Sequence, residues 1–180
     1  RAVLTEEHDP YVAVDDLLLN AERRAAQGRY DDATARVYRA IELLAQIRLL
    51  AAHGIVTKNV DLARVPEGLR AELAARRDSE DEIKVGLLSA WRILAAYDRD
   101  PLGEWYQERE GRLRNWLNSR NSSILAHGLR PLDEAAWQSE GATGLDLCRE
   151  ALDRLAQAKQ RKKHLRHRQF PRRELLTGLT

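Results

Sequence analysis

The sequence predicts an all-α protein, a compact helical bundle of five to seven helices with no convincing strand. Three observations carry that prediction. Valine and isoleucine are sparse beside alanine, leucine, arginine and glutamate, which are strong helix formers. Only five prolines and ten glycines punctuate the 180 residues. Between those breaks, apolar residues recur every three or four positions, the period that lines up one face of a helix.

The elements follow in order. Asp9-Pro10 is a helix start, an acceptor side chain followed by a proline in the first turn. Val14, Leu17, Leu18, Ala21 and Ala25 then share a face up to Gly28. A second helix from about Asp31 carries Val37, Ile41, Leu44, Ile47 and Ala51 and stops at Gly54. So short a connection as Gly28-Arg29-Tyr30 makes the two an antiparallel αα-hairpin. The segment from Ala26 to Leu43 has the small and aromatic spacing of a tetratricopeptide repeat, but no second copy follows, and such arrays need about three.

Residues 55–65 read as a loop, with a short helix from Pro66 to Arg77. Ser79-x-x-Glu82 has the form of a capping box, which would open a helix with Ile83, Leu87, Trp91 and Leu94 inward. Asp98 to Pro101 breaks it. The next helix begins near Gly103 and includes Trp105, Leu113, Trp116 and Leu117, reaching Arg120–His127 directly or through a kink near Ser119. Gly128 and Pro131 end that unit. A last long helix, from about Asp133 to Gln160, turns Leu145, Cys148, Leu152 and Leu155 inward, with Gly141 and Gly144 weakening its start. The domain is therefore set at 1–160, with 161–180 as a basic tail broken at Phe170-Pro171.

Composition narrows the function classes. No apolar run approaches the 18 residues of a membrane span, and no signal peptide is visible. Cys148 is the only cysteine, so a disulfide framework and a cysteine-based zinc site are excluded. A reducing, cytoplasmic compartment is expected. The chain begins at Arg1 and has no methionine, which reads as a fragment of something longer. Net charge is only +2, yet eight basic residues and no acid lie between Lys159 and Arg173, leaving −6 on the remainder. Lys159, Arg161, Lys162, Lys163, Arg166 and Arg168 could grip nucleic acid, or the tail could be a solvated terminus or a linker.

Other candidate sites read as structural. Asp78, Glu80, Asp81 and Glu82 suit a helix N-terminus, and His164-x-x-His167 has metal spacing among cations that oppose a metal. His8 lies near a terminus, and His53 reads as a helix-terminal cation beside Gly54. Trp91 and Trp116 fall on core faces, whereas Trp105-Tyr106 could pack or stack on bases.

The stretch Arg120-Asn121-Ser122-Ser123-Ile124-Leu125-Ala126-His127 stands apart. Seven helical steps return within about 20°, so a continuous helix would put Arg120 and His127 on one face, about 10 Å apart along the axis. A permanent cation and a group that titrates near neutral pH form a sensible pair for attacking a phosphodiester. On spacing alone, a solvated arginine and a helix-terminal histidine before Gly128 is the better reading.

Arg120-Asn121 with His127 after a six-residue gap resembles the Arg-x(4–6)-His signature of HEPN ribonucleases, in which a polar residue often follows the arginine. Asn20-Ala21-Glu22-Arg23-Arg24-Ala25-Ala26-Gln27-Gly28-Arg29-Tyr30-Asp31-Asp32-Ala33 and the stretch Arg120 to Pro131 are also similar to CRISPR-associated CARF–HEPN proteins. The resemblance covers about residues 9–160 and does not account for the tail. It implies a HEPN-like homodimer that cuts single-stranded RNA without a metal or other cofactor, with Arg120, Asn121 and His127 catalytic. It also implies an upstream CARF sensor, absent from this chain, that binds the cyclic oligoadenylate made by a type III CRISPR complex. The alternatives are a non-catalytic helical dimerisation or RNA-binding module, and a HEPN toxin paired with a nucleotidyltransferase antitoxin.

Overall fold

The computed structural model describes residues 9–121 and 132–158, and those residues are helices joined by turns, without a strand. In order they are α1 (Val12–Ala26), α2 (Tyr30–His53), α3 (Glu67–Ala74), α4 (Leu87–Ala95), α5 (Pro101–Asn121), the short α6 (Glu134–Ala136) and α7 (Ala142–Ala158). A 3₁₀ turn at Leu62–Arg64 precedes α3, and a π turn at Trp137–Gly141 joins α6 to α7.

The α1–α2 hairpin follows its sequence signals. Gly28 takes φ +71° and Gly54 φ +66°, left-handed positions that suit a residue without Cβ. At the end of α2 the N–H of Ile55 returns to the carbonyl of Leu49 at 3.0 Å and that of Gly54 to Leu50 at 3.1 Å, closing the helix. Asp9 accepts the N–H of Tyr11 at 3.1 Å, so the Asp-Pro start is used just ahead of α1.

α2 is the central element and touches α1, α4, α5 and α7. Its inward face is Val37, Ala40, Ile41, Leu44 and Leu49, all fully buried. Ile47 is only partly covered and Ala51 is exposed, the packed face at that end being carried by Leu49 and Ile55 instead. On α7 the expected stripe of Leu145, Cys148, Leu152 and Leu155 is buried throughout. α4 and α5 meet through aromatic rings. Trp91 lies 5.0 Å from Trp105 and 6.0 Å from Tyr106, centroid to centroid, and all three are buried. Trp105 and Tyr106 are therefore core residues, and none of the three rings offers a face to a base.

Several sequence expectations need correction. The Ser79–Glu82 capping box does not form, since α4 starts later, at Leu87. Asp78 instead folds the segment into a turn, accepting from the N–H groups of Glu80 and Glu82 at 3.0 Å each, with Asp81 at φ +61°. Ile83 is still buried, but from an extended segment whose carbonyl accepts from Val60 N–H at 2.9 Å. α5 begins at Pro101 rather than Gly103, because Asp100 caps it. It runs without interruption through Ser119 to Asn121. The last helix does open after Asp133, whose carboxylate accepts the N–H of Ala136 at 2.8 Å, but the π turn interrupts it.

Among the described residues, no helix is long and apolar enough to cross a membrane. His8, the end of the α5 unit at Gly128 and Pro131, the pair His164 and His167, and the break at Phe170-Pro171 lie outside the described residues.

Candidate active site

Arg120 and Asn121 are backbone positions in the final turn of α5. Leu113, Trp116 and Leu117 are the buried residues one and two turns earlier, and helical register puts position 120 on their side of the helix. His127 lies outside the described residues, as do Lys159, Arg161, Lys162, Lys163, Arg166 and Arg168. The candidate site is thus described on one side, the side built by α5.

Both ends of α5 are held. At its start, Asp100 is 2% exposed. One carboxylate oxygen accepts the N–H groups of Leu102 at 2.9 Å and Gly103 at 3.1 Å. The other receives Arg48 Nε at 2.8 Å and lies 2.8 Å from His53 Nε2, tying the last turns of α2 to the start of α5. The His53 ring stacks on Tyr97, with centroids 3.6 Å apart, and the Tyr97 hydroxyl donates to the carbonyl of Arg64. Burial alone would push the Asp100 carboxyl up. The His53 hydrogen bond, the Arg48 charge and the Gly103 N–H outweigh it and hold the group below its ordinary value. His53 is thus more than a helix-terminal cation.

At the other end, Ser119 donates to Glu140 on the π turn. Where the chain resumes, the N–H of Leu132 lies 3.5 Å from an Asp31 carboxylate oxygen at the start of α2, and Trp137 stacks on Tyr30 with centroids 6.5 Å apart. The segment bearing His127 therefore leaves from α5 and returns beside the first turn of α2. A groove of about 420 Å³ opens near that return, lined by Glu22, Tyr30, Glu134, Trp137, Asp146 and Arg149 among others. Arg149 is engaged by Glu22 at 2.6 Å, which leaves the groove acidic and unsuited to a phosphate backbone.

The acidic cluster lies elsewhere. Carboxylates of Asp78, Glu80 and Glu82 come within 4.8 Å of one another. Lys84 stands among them, 2.8 Å from Asp78 and 2.9 Å from Glu82, and offsets part of their charge.

Sequence reasoning missed Asp100 and Glu140. Asp100-Pro101 repeats the Asp-Pro signal of Asp9-Pro10 and could have been read as a cap rather than a break. No local signal marks Glu140, whose position depends on how α7 packs on α5.

The family model of the Csm6 HEPN domain matches residues 3–151. No curated protein and no solved structure matches the chain.

Proposed function

The chain belongs to the Csm6 HEPN domain family, a CRISPR-associated ribonuclease type, and we propose that it cuts single-stranded RNA by a metal-independent route using Arg120, Asn121 and His127. The observation that carries this reading is the position of Arg120-Asn121 in the last described turn of α5, a helix packed on α4 and α7 in an all-α domain of that family.

RNA supplies its own nucleophile, the 2′-OH. In-line attack on the adjacent phosphorus needs a base for that proton, an acid for the leaving 5′-oxygen, and positive charge at the crowded phosphorus. His127 is the acid–base group, with a reference pKa of about 6.5. Arg120 holds the phosphate oxygens through paired hydrogen bonds. Asn121 orients Arg120 or the ribose. The products are a 2′,3′-cyclic phosphate and a 5′-OH end.

A single histidine cannot readily act as base and acid in one displacement. Two copies of the domain, meeting across a two-fold axis, supply two histidines and two arginines. We take the working form to be a homodimer with one composite site, and residues 1–160 as its catalytic unit. A CARF sensor responding to cyclic oligoadenylate is the partner that the family resemblance suggests.

The test is cleavage of a labelled single-stranded RNA in EDTA, with Arg120→Ala and His127→Ala at matched protein concentration. The reading expects cleavage in EDTA, cyclic-phosphate ends, and loss of both with either substitution while folding persists. Cleavage that survives both substitutions would assign the chemistry to other residues. A chain that binds RNA without cutting it, even when joined to its sensor, would be a binding module.

A further inference from the structure

Small side chains open the groove between α1 and α7. On α1, Glu22, Ala25 and Ala26 are three and four residues apart and share a face, as Ala142, Asp146 and Arg149 do on α7. Alanine methyls on both walls leave a space of about 420 Å³, the size of a small-molecule site rather than of a single ion. The aromatic side of the groove is set firmly. Tyr30, the first residue of α2, stacks on Trp137 of the π turn. Gly141 lies so close to Trp137 that a Cβ would run into the ring, which holds the indole against the turn. Ring surface and alanine methyls together suit a short chain of methylenes, and aromatic rings also attract a cation.

Charge then selects the ligand. Glu22, Glu134 and Asp146 line the groove beside one cation, Arg149, which Glu22 holds at 2.6 Å. Among the described residues no ion pair engages Glu134 or Asp146, and both side chains are exposed. Three carboxylates against one guanidinium leave two negative charges unbalanced. These carboxylates are also spread apart. Among the described residues, the acids gathered within 4.8 Å of one another are Asp78, Glu80 and Glu82, and none of them belongs to the groove. A divalent metal ion draws several oxygens to one point, whereas separated carboxylates suit a cation whose two charges are themselves separated.

We propose that this groove is a binding site for a free linear diamine or polyamine. Its methylene chain lies along Tyr30 and the alanines, and its ammonium ends are held by Glu134 and Asp146. The proposal does not depend on RNA cleavage. A lysine side chain from another protein offers the same ammonium on a four-carbon stem but only one charge, so the number of charges separates the two sources.

The test is an NMR titration of the full chain with 1,4-diaminobutane at low ionic strength, read at the Trp137 indole N–H resonance, which is assigned by its loss in Trp137→Phe. It is repeated with 1-butylamine, with magnesium chloride, and on the double variant Glu134→Gln, Asp146→Asn. The diamine is expected to shift the resonance saturably. Affinity should be about fivefold or more weaker for butylamine and for the double variant, whose unfolding temperature stays close to wild type because both side chains are exposed. Absence of a saturable shift overturns the proposal, and so does equal affinity in the double variant. Butylamine binding as tightly as the diamine overturns it in favour of a lysine side chain. Magnesium binding as tightly overturns it by reducing the groove to unselective attraction of cations.

Discussion

At the scale of the residue, Asp100 has the most to lose. It is buried, it caps α5, and it faces both Arg48 and His53 from α2. Asp100→Asn keeps an acceptor for the backbone but removes the charge between two basic partners. We expect a loss of about 3 kcal/mol at pH 7, the low end for a broken buried pair, since both partners keep some access to water. The pH dependence follows from the lowered carboxyl. Its stabilising contribution is complete above the ordinary carboxylate value of about 3.9 and is lost as pH falls through the lower folded value. Urea unfolding from pH 7 to pH 2 should show the gap between wild type and Asp100→Asn closing below about pH 4. A gap that stays constant to pH 2 would mean that charge is not the source of the effect. Cys148 makes the opposite case, a thiol held uncharged. It is fully buried, and desolvation pushes its ionisation far above the usual range. A thiol reagent at pH 8 should leave the native chain unmodified and label it stoichiometrically in urea.

At the scale of the element, the glycines separate two kinds of helix position. Gly111 in α5 is exposed and has nothing within 4 Å of a would-be Cβ, whereas Gly144 in α7 is pressed against Trp116. Gly111→Ala should raise stability by about 0.5–1 kcal/mol through helix propensity and a less flexible unfolded chain. Gly144→Ala should lower it by about 1–3 kcal/mol, because the indole or α7 itself must move. Thermal melts of the two variants, expected to shift in opposite directions, check both at once. The same pair explains what could be read from the sequence alone. Periodicity found α1, α2, α5 and the inward stripe of α7, since those patterns depend only on residues three and four apart. It took Gly141 and Gly144 as weak points, because it cannot see the indole rings that close over them when the helices pack. The Ser79–Glu82 box failed for a related reason: Asp78 captures the N–H groups of Glu80 and Glu82 into a turn, and a local motif cannot announce a stronger local competitor.

At the scale of the whole molecule, a candidate site was legible only where it is linear. Arg120 and Asn121 are adjacent and His127 follows closely, so a short motif could propose them as candidates, whereas Asp100 and Glu140 tie helices that are distant in the sequence, through Arg48 and His53 and through Ser119. Charge is distributed in the same divided way. The remainder of the chain carries −6 against the eight basic residues between Lys159 and Arg173, and the groove beside α7 is acidic. Most arginines along α5 and α7 are already engaged by carboxylates, Arg109 and Arg112 by Glu150, Arg114 by Glu110 and Arg154 by Glu108. An RNA substrate must therefore find much of its counter-charge elsewhere, and we propose that Lys159, Arg161, Lys162, Lys163, Arg166 and Arg168 supply it. Truncation after Ala158 keeps α7 whole and isolates that contribution. Each phosphate deprived of its cation should flatten the dependence of log affinity on log salt by about 0.7 for a single strand. The truncated chain should bind RNA more weakly at low salt, approach wild type at high salt, and keep its turnover once saturated. Equal salt slopes for the two chains would place the phosphate-binding cations on the helical body, and would require the α5 and α7 ion pairs to open when RNA binds.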